Sequence, residues 1–365
     1  IPAAVAEAAI KSGAARKNIE DIELYKDQLS NRLDPSMSIM QGINAKVRKN
    51  PKRVIFAEGE DENMLKAAIE FGKNKLGIPI LIGSEKRVKE QLKKIGLDEN
   101  YKIEIVNSTD KDKRERYVKH LYKKLQREGQ LERDVDRLVR NDRIAWGSSM
   151  IACKDADAMV TGNIRHYAAS IEKLKKVVDA RPGEEIFGMT MIVSKGKTIL
   201  VADTNVTELP SAERLIKISK SCVRIARLFG FEPKVAFLSH STFGKPLSRN
   251  TRHVRDAIEK LKKDKVDFDF DGEMQPDVAL NPIYQEIYPF SKIVGNANIL
   301  IMPALHSAAI STKLMKVFGG GKNIGPLLIG LGQPIEVAPL RASTSEILNL
   351  ASIAAYSSDV IDYSN

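Results

Sequence analysis

From about residue 36 the chain alternates short β-branched apolar runs with longer amphipathic stretches. This pattern predicts strands over Arg53–Ala57, Ile78–Ile82, Ile103–Val106, Ala158–Thr161, Gly188–Val193, Thr198–Ala202, Val235–Leu238, Val278–Leu280 and Ile299–Met302. It places helices over Glu62–Lys75 and Lys86–Ile95, among others. Strands separated by helices of this length form βαβ units and a mostly parallel sheet, so the fold class is α/β. One pair breaks the rhythm: Gly188–Val193 and Thr198–Ala202 flank Ser194-Lys195-Gly196-Lys197 as an antiparallel hairpin. Ahead of this region, residues 1–35 read as an amphipathic helical linker: Ala3, Val5, Ala6, Ala9, Ile10 and Ala14 share one side, and Gly13 marks a break. Leu33-Asp34-Pro35-Ser36 is the expected linker and helix cap.

Composition changes this picture little. With 365 residues, 43% hydrophobic and 29% charged, the chain suits one large or two medium globular domains. No apolar run approaches the roughly 18 residues of a membrane helix, and the N-terminus lacks a basic region ahead of an apolar core. The absence of an initiating Met places Ile1 inside a longer gene product, by expectation. Cys153 and Cys222 are too few for a disulfide framework and fit a reducing, cytoplasmic setting as buried structural residues. The net charge of +11 comes largely from lysines in helical segments such as Lys111–Lys124 and Lys260–Lys265, interspersed with Asp and Glu. No aromatic residues interleave to stack bases, so the reading is a solvated surface, not nucleic-acid binding.

Several strand-end segments carry possible chemistry. Glu58-Gly59-Glu60-Asp61 follows a strand and opens a helix, which suits either a helix cap or a strand-end site. Thr161-Gly162-Asn163-Ile164-Arg165-His166 combines small residues, a free backbone amide and one Arg, as a phosphate or acyl carbonyl requires. Ser239-His240-Ser241-Thr242-Phe243-Gly244-Lys245 gathers hydroxyls, Gly and Lys after a strand, as a loop grasping a phosphorylated ligand would. Asp271-Gly272-Glu273-Met274-Gln275-Pro276-Asp277 lacks calcium-loop spacing and a His cluster, so no metal is expected. Gly319-Gly320-Gly321-Lys322-Asn323 fails both nucleotide-loop spacings and reads as a flexible turn.

In this order, the segments resemble the phosphate acetyl/butyryl transferase family over about residues 38–358. The matching stretches are RVIFAEGEDENMLKAA, DADAMVTG, PKVAFLSHSTFG, FDGEMQPDVALNP and the long run ANILIMPALHSAAISTKLMKVFGGGKNIGPLLIGLGQP. The resemblance implies two three-layer α/β subdomains with a cleft between them and an isocitrate/isopropylmalate dehydrogenase-like topology. Residues 36–183 with 327–365 would form the first subdomain, and 184–326 the second, which dimerises. IPAAVAEAAIKSGAAR and IEDIELYKDQL resemble the junction in bacterial hybrid NADP-dependent malic enzymes. Such a context implies an upstream part carrying malate, NADP and a divalent metal, and a higher oligomer of the full-length protein. This chain itself would hold no cofactor.

The active family closes on a Pro-Val-Asn-Asp-Leu-Ser-Arg-Gly-like run with catalytic Ser and Arg. Here the run is Pro334-Ile335-Glu336-Val337-Ala338-Pro339-Leu340-Arg341-Ala342. Aligned without a gap, Ser and Arg become Pro339 and Leu340; with one inserted residue, Leu340 replaces Ser and Arg341 remains. The family's later basic Asp falls on Glu346, and two further arginines fall on Leu125, with Arg127 nearby, and on Glu172, with Lys173 beside it. The resemblance thus implies acetyl-CoA or a related CoA ester as effector, held by Thr161, Gly162, Asn163, Arg165, Ser239, Ser241, Thr242, Lys313, Gly325, Arg341 and Glu346. It assigns no catalytic residue. The rivals are a working phosphate acetyltransferase built on Arg341, Arg165 and Glu346, and an oligomerisation module without ligand.

Overall fold

A computed structural model describes residues 35–97, 102–194, 196–246, 251–319 and 322–363, with Val5, Ala8 and Ser12. The helix expected over residues 1–35 otherwise lies outside the described residues. The first sheet takes β1 (Lys52–Phe56), β2 (Gly77–Ile82), β3 (Glu104–Val106), β4 (Ala158–Gly162) and β11 (Ile335–Ala338), in the order β11-β4-β1-β2-β3. All four of its pairings are parallel. The second takes β5 (Phe187–Ser194), β6 (Lys197–Ala202), β7 (Lys234–Leu238), β8 (Asp269–Met274), β9 (Ile299–Ile301) and β10 (Lys322–Ile329), in the order β10-β5-β6-β9-β7-β8. Its β5–β6 hairpin is antiparallel as expected, and β10 adds a second antiparallel pairing on β5.

Alternate strand residues feed opposite layers, the period-two rule of a pleated sheet. In the first sheet, Val54, Phe56, Leu81 and Val160 face a cluster with α1 (Pro35–Lys49), α2 (Glu62–Lys73), α3 (Glu85–Lys94) and α12 (Thr344–Val360). Ile55, Ile80, Met159 and Val337 face α4 (Lys111–Leu125), α5 (Glu132–Asn141), α6 (Arg143–Ala152) and α7 (Tyr167–Val177). Because both faces are covered, these strands read as unbroken apolar runs. The second sheet is layered likewise. Met189, Leu200 and Phe237 join the first cluster with α8 (Ala212–Leu228) and α9 (Arg252–Lys263). Ile192, Val201 and Leu238 face α10 (Pro276–Leu280) and the region of α11 (Leu305–Phe318). One buried cluster thus runs beneath both sheets.

Two expectations are corrected. Val278–Leu280 is helix, not strand: Pro276 takes the first turn of α10, where its missing N–H costs nothing, and the strand is the acidic segment before it. Lys322 and Asn323, expected in a flexible turn, open β10 and pair with Val193 and Ile192. β11 was not anticipated; it lays the closing motif against β4, with Ala338 opposite Gly162. Residues 326 and 327 both lie in β10, and the chain re-enters the first sheet at β11.

Candidate functional site

In the first sheet the chain proceeds from β1 through β2 to β3 on one side, while β4 lies on the other. This reversal makes a topological switch point at the carboxyl ends of β1 and β4, the place where open α/β sheets in general bind ligands. Glu58 stands there fully buried, its oxygens accepting from Thr161 Oγ1 and from the Gly162 amide, each at 3.0 Å. Burial pushes its carboxyl up to about 7, against the two hydrogen bonds and the through-space pull of Arg165 and Arg143. Asp61 serves as the helix cap, accepting from Met64 N at 3.0 Å and from Asn163 Nδ2 at 2.6 Å. The helix-cap reading of the Glu58–Asp61 segment therefore holds for Asp61, while Glu58 lies buried at the strand end.

Gly162 has φ 108°, and a Cβ there would lie 2.3 Å from Ala338 O, so only glycine fits against β11. The free amides expected in this loop are engaged. Gly162 N binds Glu58, Asn163 N binds Ala338 O at 3.2 Å, and Ile164 N binds Gly162 O at 2.8 Å. Two buried polar atoms of this loop have no hydrogen-bond partner, Arg165 Nη1 and Asn163 Oδ1. Arg341 joins it from β11: its amide donates to Asn163 O at 2.9 Å and its side chain is exposed.

At the second sheet, the carboxyl ends of β7 and β8 hold Ser239, Ser241 and Thr242 beside Glu273. Ser241 Oγ donates to Glu273 Oε1 at 2.7 Å and lies 3.0 Å from Ser239 Oγ, while Gln275 N donates to Thr242 Oγ1 at 3.2 Å. Arg255 Nη1 spans both Glu273 oxygens at 3.1 and 3.2 Å. These hydroxyls hold two strand ends together, in a buried network that sequence reasoning read as ligand-facing. Arg255, one basic residue among many on α9, carried no signal of its partnership.

Of the remaining expected residues, Lys313 is exposed on α11. One turn on, Lys316 reaches Glu346 at 2.9 Å and so carries α11 against the segment following Arg341. Glu346 also closes a capping box with Ser343 at the start of α12, and these hydrogen bonds, with the Lys316 ammonium, hold its carboxyl below the usual range despite partial burial. Gly325 serves the sheet: a Cβ there would meet Leu327 N at 2.7 Å and Met189 O at 2.9 Å within the β10–β5 irregularity. Leu125 is buried in the core, and Glu172 is exposed on α7. Among the described residues no three His, Cys, Asp or Glu side chains gather as metal ligands, and no helix is long and apolar enough to cross a membrane.

A parallel sheet and a mixed sheet, each with loops at the carboxyl ends of its parallel strands, and a closing strand followed by Pro339-Leu340-Arg341 are the frame in which the family match falls. The chain belongs to the phosphate acetyl/butaryl transferase family, whose profile matches residues 38–355. It is 44% identical over 357 residues to an NADP-dependent malic enzyme of Rhizobium meliloti, covering 98% of this chain and 47% of that relative. It is 30% identical over 326 residues to the phosphate acetyltransferase of Clostridium acetobutylicum, covering 87% of this chain and 97% of the relative. A phosphotransacetylase structure from Streptococcus pyogenes superposes with a TM-score of 0.81 at 27% identity, over 88% of this chain and 98% of that one. The chain spans about half the length of the malic enzymes it matches.

Proposed function

We propose that this chain is the regulatory, CoA-ester-binding part of a cytoplasmic NADP-dependent malic enzyme, and that it does not transfer acetyl groups itself. The observation that carries the reading is the closing loop. Acyl transfer to phosphate needs a base at the thiol and preorganised donors for the developing oxyanion. The segment that supplies Ser and Arg in the resembling active enzymes here reads Pro339-Leu340 without a gap or Leu340-Arg341 with one inserted residue, so the Ser hydroxyl is absent in either alignment, and the nearby amides and hydroxyls are already engaged by protein groups. The candidate base, Glu346, is committed to capping α12 and to Lys316. The exposed Arg341 and Lys313 and the half-buried Arg165 remain, and these cations suit a polyanion. Arg165 and Arg341 would take phosphate or carbonyl oxygens, with Lys313 across on α11. NADP, malate and a divalent metal belong, on this reading, to the other half of the full-length protein, and acetyl-CoA acts as effector across a homodimer formed by the second sheet's helices.

Calorimetry on the purified chain tests the binding. Acetyl-CoA is expected to bind, and Arg165→Ala to weaken it about tenfold, the typical cost of one charged hydrogen bond. A coupled assay with CoA and acetyl phosphate is expected to stay at background. Robust turnover would establish an active transferase instead, and no heat or thermal shift would leave only an oligomerisation module.

A further inference from the structure

Unlike Glu273 and Glu60 at these strand ends, Glu58 has no hydrogen-bonded cation. Glu273 is clasped by Arg255 at 3.1 and 3.2 Å. Glu60, two residues past Glu58, takes Arg143 at 2.9 Å, Arg87 at 3.4 Å and the Ser84 amide at 2.8 Å. Glu58, fully buried, receives only the uncharged Thr161 hydroxyl and Gly162 amide. Arg143 acts on it through space while bound to Glu60, and Arg165 does so with a buried Nη1 that has no hydrogen-bond partner. The charged and titratable groups of the surrounding elements are Glu60 and Asp61 on its own loop, Arg143 from α6, Arg165 and His166 after β4, and Arg341 after β11. Asp61 is occupied by Met64 N and Asn163 Nδ2.

A buried carboxyl in this position has two states with opposite effects on its neighbour. Ionised, it attracts the Arg165 guanidinium inward and repels an incoming phosphate. Protonated, it does neither, and Arg165 is free for the ligand.

We propose that Glu58 is a positioning residue that makes anion binding at this crest proton-linked: an anionic ligand on Arg165 binds together with one proton from solvent, taken up on the Glu58 carboxyl. The inference rests on the reading of the crest as a CoA-ester site. Its sign follows from linkage. A bound anion favours neutral Glu58, so affinity is high where Glu58 is protonated and falls as pH rises through its titration.

The experiment is acetyl-CoA calorimetry at about pH 6 and about pH 8, repeated in buffers of different ionisation enthalpy to count protons. Wild-type affinity is expected to fall about tenfold across this interval, within the usual range of coupling between two sites. A phosphate monoester on the ligand titrates in the same range, so the quantity read is the difference between wild type and E58Q. E58Q, fixed in the uncharged form, is expected to lose the part of the pH dependence that wild type owes to Glu58. Should E58Q fail to fold, as judged by its thermal melt, Thr161→Val retains the carboxyl and removes a hydrogen bond that lowers its pKa. The affinity drop should then move to higher pH. Superimposable pH profiles for wild type and E58Q, or an unmoved profile in Thr161→Val, would overturn the proposal while leaving the CoA-ester reading intact. No binding of acetyl-CoA by the wild type at either pH would instead overturn that underlying reading.

Discussion

Glu336 shows how one buried side chain can tie stability to pH. It lies on β11, is 4% exposed, and its Oε2 accepts from Leu328 N of β10 at 2.9 Å, which stitches the edge strands of the two sheets. Burial raises its carboxyl from 4.5 to about 8, with the Leu328 amide pulling the other way. The folded state therefore binds the proton more tightly than the unfolded chain, so this residue's contribution is full below 4.5 and is lost as pH rises toward 8. Glu336→Gln is expected to melt higher than wild type at about pH 9, with the advantage shrinking near about pH 5, as read by circular dichroism. A difference of equal size at both values would show that charge is not the cause. The residue escaped sequence reasoning because a Glu inside a four-residue apolar strand looks like surface, and only the pairing with β4 shows that it is enclosed.

At the scale of elements, the caps state most plainly what holds the site's frame. Ser343 and Glu346 close a reciprocal capping box at the start of α12, the long helix that packs on α2 and the first sheet. Ser343→Ala should cost about 1 kcal/mol, and for a domain of this size that lowers the melting temperature by about 2 °C. Acetyl-CoA affinity is expected to be unmoved, since Ser343 Oγ and the Glu346 amide are taken up by each other. The elements themselves were largely legible. Runs such as Arg53–Ala57 and Val235–Leu238 are β-branched and apolar because both their faces are covered. β10 was missed because Gly325-Pro326 lies inside it and reads as a break, whereas the sheet absorbs it at an edge-strand irregularity. Val278–Leu280 misled for the opposite reason: three apolar residues pass for a strand unless the Pro276 ahead of them is read as a helix start. Of the site, the loops after β4 and β7 were found from their composition, while the division of roles within them was not. Whether a Ser or an amide faces a ligand or another strand end depends on Glu58 and Glu273, which sit far away in sequence.

For the whole molecule, the helix α11 leaves an apolar stripe uncovered. Ile310, Leu314, Val317 and Phe318 follow helical spacing and are 59%, 52%, 74% and 82% exposed. A stripe of this kind on the second sheet's outer layer is where the proposed homodimer would bury surface. Light scattering of the purified chain is expected to give twice the monomer mass, and a double substitution, Leu314→Glu with Phe318→Glu, to return the monomer with its circular dichroism unchanged. A dimer indifferent to both charges would place the interface elsewhere.

The pairing of β11 with β4 also fixes an order of events during synthesis. β4 is flanked by β1 alone until the last strand arrives, and everything from β5 to β10 is made in between. The second sheet, whose strands are consecutive in the chain, has all its partners on hand before the first sheet has its edge. The crest that positions Arg165 and Arg341 therefore exists only once β11 has left the ribosome, and a chain stopped short of it would retain β4 as an open edge with its amides unpaired.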